Sequence, residues 1–125
     1  MRAQTIEIQI HPPTTSLVRL YGEHDVASGE AVTAALSARG GYRQVVVDLS
    51  QCTFIDSTLI TRLLAAARRT RQRGGSLELV VPEDANAVRR TLELANVQMV
   101  LPFHASCTAA LESLSAAGQP SCLAG

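Results

Sequence analysis

Ile6, Ile8 and Ile10 alternate with Glu7 and Gln9, and this period of two predicts a half-buried β-strand. Pro12 and Pro13 end it. Leu17, Val18, Leu20 and Tyr21 predict a second strand that closes at Gly22 and pairs with the first as a hairpin. Over residues 26–38 the period changes: Val32, Ala35 and Leu36 recur at helical spacing, and Gly40 and Gly41 supply a stop. Residues 44–49 (QVVVDL) then run apolar without alternation, as expected of a strand buried on both faces and therefore central and parallel.

The remaining segments follow the same logic. Residues 57–73 predict a long helix stopped by Gly74 and Gly75, and residues 76–81 a strand ended by Pro82. A helix capped by Asp84 should run through Val88, Leu92 and Ala95. Residues 99–103 predict a short edge strand because they contain Pro102, and residues 106–116 a last helix. The order is a hairpin followed by alternating helices and strands. It predicts a single α/β domain over residues 1–117, a mixed sheet of about five strands flanked by about four helices, with 118–125 a flexible tail.

The polar insert in this pattern is residues 54–60, FIDSTLI. Asp56, Ser57 and Thr58 stand where the central strand has ended and a helix begins, the place where ligands gather in open α/β sheets. Asp56 or Ser57 is the natural N-cap. The helix start carries free N–H groups and a partial positive charge, so an anion is tolerated there. Winding the helix puts Leu59, Ile60, Leu63, Leu64 and Ala67 on the core side. Thr58, Thr61, Arg62, Ala65, Arg69 and Gln72 fall on the outer side, with Ser57 at the border. Ala65 would let a partner approach closely, and Arg62 and Arg69 are placed to meet its carboxylates.

Composition narrows the chemistry. Eleven basic and eleven acidic residues balance, so no global charge favours nucleic acid or a membrane surface. Every basic residue is Arg, which excludes any mechanism needing Lys. Two Phe, two Tyr and no Trp argue against stacking platforms. Cys52, Cys107 and Cys122 show no zinc spacing and fit a reducing cytosol, the first two as small buried fillers. No metal or cofactor site, signal peptide or membrane-spanning run is legible. A serine hydrolase built on Ser57 would need a histidine base, and no G-x-S-x-G elbow exists; His24 reads as a satisfied surface or turn histidine. A receiver domain would need an acidic pair after the first strand and a late Lys, and both are missing.

Residues 45–50 (VVVDLS) followed by 54–58 (FIDST) resemble the STAS domain of bacterial anti-sigma factor antagonists. Gly22-Glu23-His24-Asp25 is similar to the "G-E-L-D" after that family's second strand, and Gly74-Gly75 to its "G-G". The resemblance runs from about residue 6 to residue 114 in the family's order. It implies a cytoplasmic partner-switching regulator and not an enzyme. Ser57 would be the phosphoacceptor, with Thr58 second. An anti-sigma factor with serine kinase activity would add the phosphate and a serine phosphatase would remove it. The unphosphorylated form would bind the anti-sigma factor and free a sigma factor for transcription. Asp25, Asp56, Ser57, Thr58, Thr61, Arg62, Ala65 and Arg69 would form the partner surface. Two positions depart: Leu59 replaces the glycine usual after D-S-[ST], and His24 replaces an apolar residue. Other family members are non-switching accessory subunits of transport ATPases, the alternative reading.

Overall fold

The computed structural model describes residues 4–11, 15–24, 29–36 and 44–117. β1 (Gln4–His11) and β2 (Thr15–His24) form the expected antiparallel hairpin, with Ile6 opposite Leu20 and Ile8 opposite Val18. β3 (Gln44–Asp48) lies parallel to β2, and β5 (Ser76–Val80) lies parallel to β3. The short β6 (Phe103–His104) closes the far edge beside β5. Four helices connect or follow these strands: α1 (Gly29–Leu36), α2 (Ser57–Gln72), α3 (Asn86–Leu94) and α4 (Cys107–Ala117). The mixed sheet and helix count agree with the expected α/β domain.

A sixth strand, β4 (Cys52–Ile55), has no counterpart in the sequence reading. It pairs with the distal end of β2, where Glu23 meets Phe54 and His24 meets Ile55. β3 pairs with the proximal end of the same strand. The two therefore occupy one lane of the sheet in succession, interrupted at residues 49–51, so six strands fill five lanes. The register slips between Gly22 and Glu23, where Gly22 adopts a φ of 84° and donates its N–H to the Gln51 carbonyl at 3.0 Å. Glycine reaches that conformation without a Cβ penalty.

The sheet separates two cores. On one face Val18, Leu20, Val45, Val47, Leu77 and Leu79 pack with Leu36, Leu59, Leu63, Val88 and Leu92 of α1 to α3. On the other, Leu17, Val46 and Val80 pack with Ala110 and Leu114 of α4. Central strands buried on both faces explain the unbroken valine run. Each fully buried Leu or Val contributes about 1.5–3 kcal/mol relative to exposure.

Several local expectations need correcting. Asp84 does not cap α3: Ala85 is its N-cap without a side-chain bond, because residues 82–85 close a turn in which the Ala85 N–H reaches the Pro82 carbonyl at 3.1 Å. Of the strand expected over residues 99–103 only Phe103 is strand, as the first residue of β6, and Met99 instead ends a 3₁₀ turn over Val97–Met99. Val97 and Leu101 are the buried anchors there while Met99 and Val100 are exposed, so the spacing of inward positions is four and not two. Asn96 enters that turn in the left-handed region. In α2, Ala66 and Thr70 join the buried set, and Leu64 is only half-buried. Ile8 and Ile10 are exposed because β1 is the sheet edge; of its three isoleucines only Ile6 packs on the core. The predicted helix start at 26–28, the glycine stop at 40–41 and the tail 118–125 lie outside the described residues.

Candidate functional site

The β4–α2 junction is built by Asp56. Its backbone is extended (φ −121°, ψ −176°), and its Oδ1 accepts the Leu59 N–H at 3.1 Å. Its own carbonyl accepts the Ile60 N–H at 3.2 Å. Asp56 is thus the N-cap, one of the two candidates the sequence offered, and its negative charge sits at the positive end of a 16-residue helix. The backbone N–H groups of Ser57 and Thr58 have no partner among the described residues.

Ser57 opens α2 and is exposed, while Thr58 is half-buried. The Thr61 hydroxyl donates to the Ser57 carbonyl at 3.0 Å and is exposed on the next turn. Leu59 turns inward and is 1% exposed, so it belongs to the core and leaves the outer face untouched. Ala65 and Arg69 continue that face, both half-buried. Asp25 lies outside the described residues.

Arg62 is held more firmly than periodicity suggests. Its guanidinium donates to the Thr33 hydroxyl on α1 at 3.0 Å. It also lies over buried Gly29: a Cβ there would stand 3.1 Å from its Nε. Glycine therefore lets α1 accept the arginine, and Arg62 ties the two helices together beside the candidate site.

Phe54, 46% exposed and two residues before Asp56, is a functional candidate that periodicity missed. Aromatic side chains, Phe included, are enriched in the cores of protein–protein interfaces. The available signal was a large apolar residue inside a segment with no alternating pattern.

Two other residues the sequence brought into question, His24 and Asp48, take no part in the α2 turn. His24 is buried and not a surface histidine; its Nε2 lies 2.9 Å from the Tyr21 carbonyl. Asp48 ends β3 and faces α4, on the opposite side of the sheet from α2. Its Oδ2 accepts Arg19 Nε at 3.0 Å and the Cys107 thiol at 3.0 Å, and its Oδ1 accepts the Ser50 N–H at 2.9 Å. Burial alone would raise its pKa, but the bonds from Cys107, Ser50 and Arg19 outweigh that and hold it below the ordinary carboxylate value. Cys107 is pushed up to about 11 by burial and by the neighbouring carboxylate, so its thiol stays protonated and donates. It is a half-buried, hydrogen-bonding member of a polar cluster and not the small buried filler expected.

A family model described as "Mlab, STAS domain" matches residues 9–102. The chain belongs to the STAS-domain family. An anti-sigma factor antagonist from Mycobacterium paratuberculosis superposes with a TM-score of 0.80 at 23% identity, covering 90% of this chain and 95% of that one. The unphosphorylated form of the anti-sigma factor antagonist SpoIIAA gives 0.77 at 19%, covering 90% and 97%. The phosphorylated form of the Bacillus cell fate determinant SpoIIAA gives 0.68 at 18%, covering 88% and 99%. At these identities the structures establish a shared fold. No helix among the described residues is long and apolar enough to cross a membrane.

Proposed function

We propose that the chain is a cytoplasmic anti-sigma factor antagonist that works by partner switching. Ser57 is the phosphoacceptor and Thr58 the second choice. An anti-sigma factor with serine kinase activity transfers the γ-phosphate of ATP to the hydroxyl oxygen, releasing ADP, and a serine phosphatase hydrolyses the ester. The unmodified form binds the anti-sigma factor and frees a sigma factor. The chain is then a substrate and binding module, not a catalyst. The observation that carries this reading is the exposed Ser57 hydroxyl at the start of α2, beside the Asp56 cap. The matched SpoIIAA structures, described as unphosphorylated and phosphorylated forms, support it.

The physics of the switch is local. A phosphoserine adds about 1.5 to 2 negative charges at neutral pH, and a helix N-terminus tolerates them. With Asp56 adjacent, the patch becomes strongly anionic. A partner docking on Phe54, Ser57, Thr61 and Ala65 would then have to desolvate that charge, which blocks the interface without refolding the domain.

Incubation with ATP and candidate anti-sigma kinases, followed by mass mapping, should place the phosphate on Ser57. No transfer to Ser57 or Thr58 by any kinase that binds the chain would overturn the switch. Ser57→Asp should remain folded and lose the partner; wild-type affinity in that variant would show that charge at this turn is not read. One observation favours a second reading, a non-switching accessory subunit of a transport ATPase: Leu59 replaces the glycine usual after the D-S-[ST] turn. Recovery of a transport ATPase instead of a sigma-regulating kinase in a pull-down would select it.

A further inference from the structure

Five of the eleven arginines and none of the eleven acids fall between Ser57 and Arg73. The neutral chain is therefore polarised, with five positive charges on one helix and its C-cap and a matching negative excess over the rest. Arg68, Arg71 and Arg73 are exposed and Arg69 is half-buried, gathered in the last two turns of α2 and its C-cap. None of them has a carboxylate within salt-bridge distance among the described residues. The contrast is α3, where Arg89 meets Glu93 one turn on at 3.4 Å. The helix dipole favours cations at this end, but a field that favours them does not neutralise them.

We propose that this arginine band is a second docking site, whose partner is a carboxylate-rich polypeptide segment. Carboxylates fit the planar guanidinium fork and bond it in pairs. Nucleic acid fits poorly: a duplex longer than the band would meet the negative remainder of the chain within a Debye length of about 8–10 Å. A membrane fits poorly as well, because none of the exposed large apolar residues lies on α2 to enter the lipid boundary. The band goes beyond the Ser57 switch. Arg68 lies about 16 Å along the helix from Ser57, further than screened charges interact strongly. An acidic segment held there stays bound when a phosphate at the other end of α2 ejects the first contact, so a partner can remain tethered through both states.

Fluorescence anisotropy with a labelled oligoglutamate peptide and the full chain tests this. The peptide should bind at about 50 mM salt and weaken steeply by about 300 mM. R68Q/R71Q/R73Q should weaken it by about tenfold, since charge-assisted bonds carry the contact. Ser57→Glu should leave its affinity within about twofold at a separation beyond the Debye length, which separates this site from the switch. An unbound peptide, a triple variant that binds like the wild type, or tighter binding of short duplex DNA or phosphatidylserine vesicles would overturn the proposal. Should the triple variant fail to fold, R71Q and R73Q singly should each weaken the peptide measurably, and unchanged affinity in both would overturn it equally.

Discussion

Asp48 and Asp56 stand eight residues apart, one ending β3 and the other just after β4, yet they belong to different parts of the molecule. Asp48 is 3% exposed and receives bonds from Arg19, Ser50 and Cys107 on the α4 side of the sheet. Asp56 is half-buried on the α2 side, and its side chain bonds the helix it starts. One carboxylate staples distant segments; the other fixes a helix end and leaves a hydroxyl beside it in solvent. Motif position does not distinguish these roles. The direction of the side chain and the span of its bonds do.

The contrast can be broken at both ends. The largest effect is expected from Leu59→Gly, which installs the residue usual in the family. It removes a buried side chain and adds a helix glycine, and should cost about 3–5 kcal/mol of unfolding free energy in urea denaturation. A loss below about 1 kcal/mol would mean the first turn of α2 does not anchor in the core.

Asp48→Ala should cost about 2–3 kcal/mol by the same measurement. It strips an acceptor from Cys107 and Ser50 and a counter-ion from Arg19, whose 30% exposure lets water make up part of the loss. Asp56→Ala should cost about 1 kcal/mol, the usual value of a cap. Reversal of that order would put the structural weight on the wrong aspartate.

Stability against pH sharpens the comparison further. The Asp48 pKa is depressed in the folded state, so its contribution is complete above the unfolded value of about 4 and is lost as pH falls through the folded one. The Cys107 thiol is raised to about 11 from 9.0, so the folded state holds a proton that the unfolded chain releases in that window. Stability should therefore fall at the alkaline end too, between about pH 9 and 11. Cys107→Ala should flatten part of the alkaline limb, as measured by thermal melting across pH; the buried Cys52 thiol, also pushed up to about 11, should keep the rest.

These two sites also show what a linear pattern can reveal. The α2 junction was legible because cap, hydroxyl and apolar stripe are local: Asp56, Ser57 and Leu59 lie within four residues, and helical winding sorts their directions. The central strands were legible from their valines. The Asp48 cluster was not, because Arg19 and Cys107 lie 29 and 59 residues away and no local period brings them together. β4 was hidden for another reason. Its positions run buried, exposed, exposed, buried, so no period of two marks it as strand. The hold of Arg62 on α1 needed the structure as well, since it spans 29 residues and depends on a glycine whose importance is only that nothing projects from it.

That glycine has a consequence for how relatives can vary. A methyl group at 29 would stand 3.1 Å from the Arg62 guanidinium, which would have to shift slightly and strain its bond to Thr33, or be matched by a shorter side chain at 62. The two positions should drift as a pair: arginine at 62 with glycine at 29, and larger residues at 29 only where 62 has shrunk. A chain that enlarged position 29 alone would strain the Arg62–Thr33 bond that ties α1 to α2 one turn beyond Ser57.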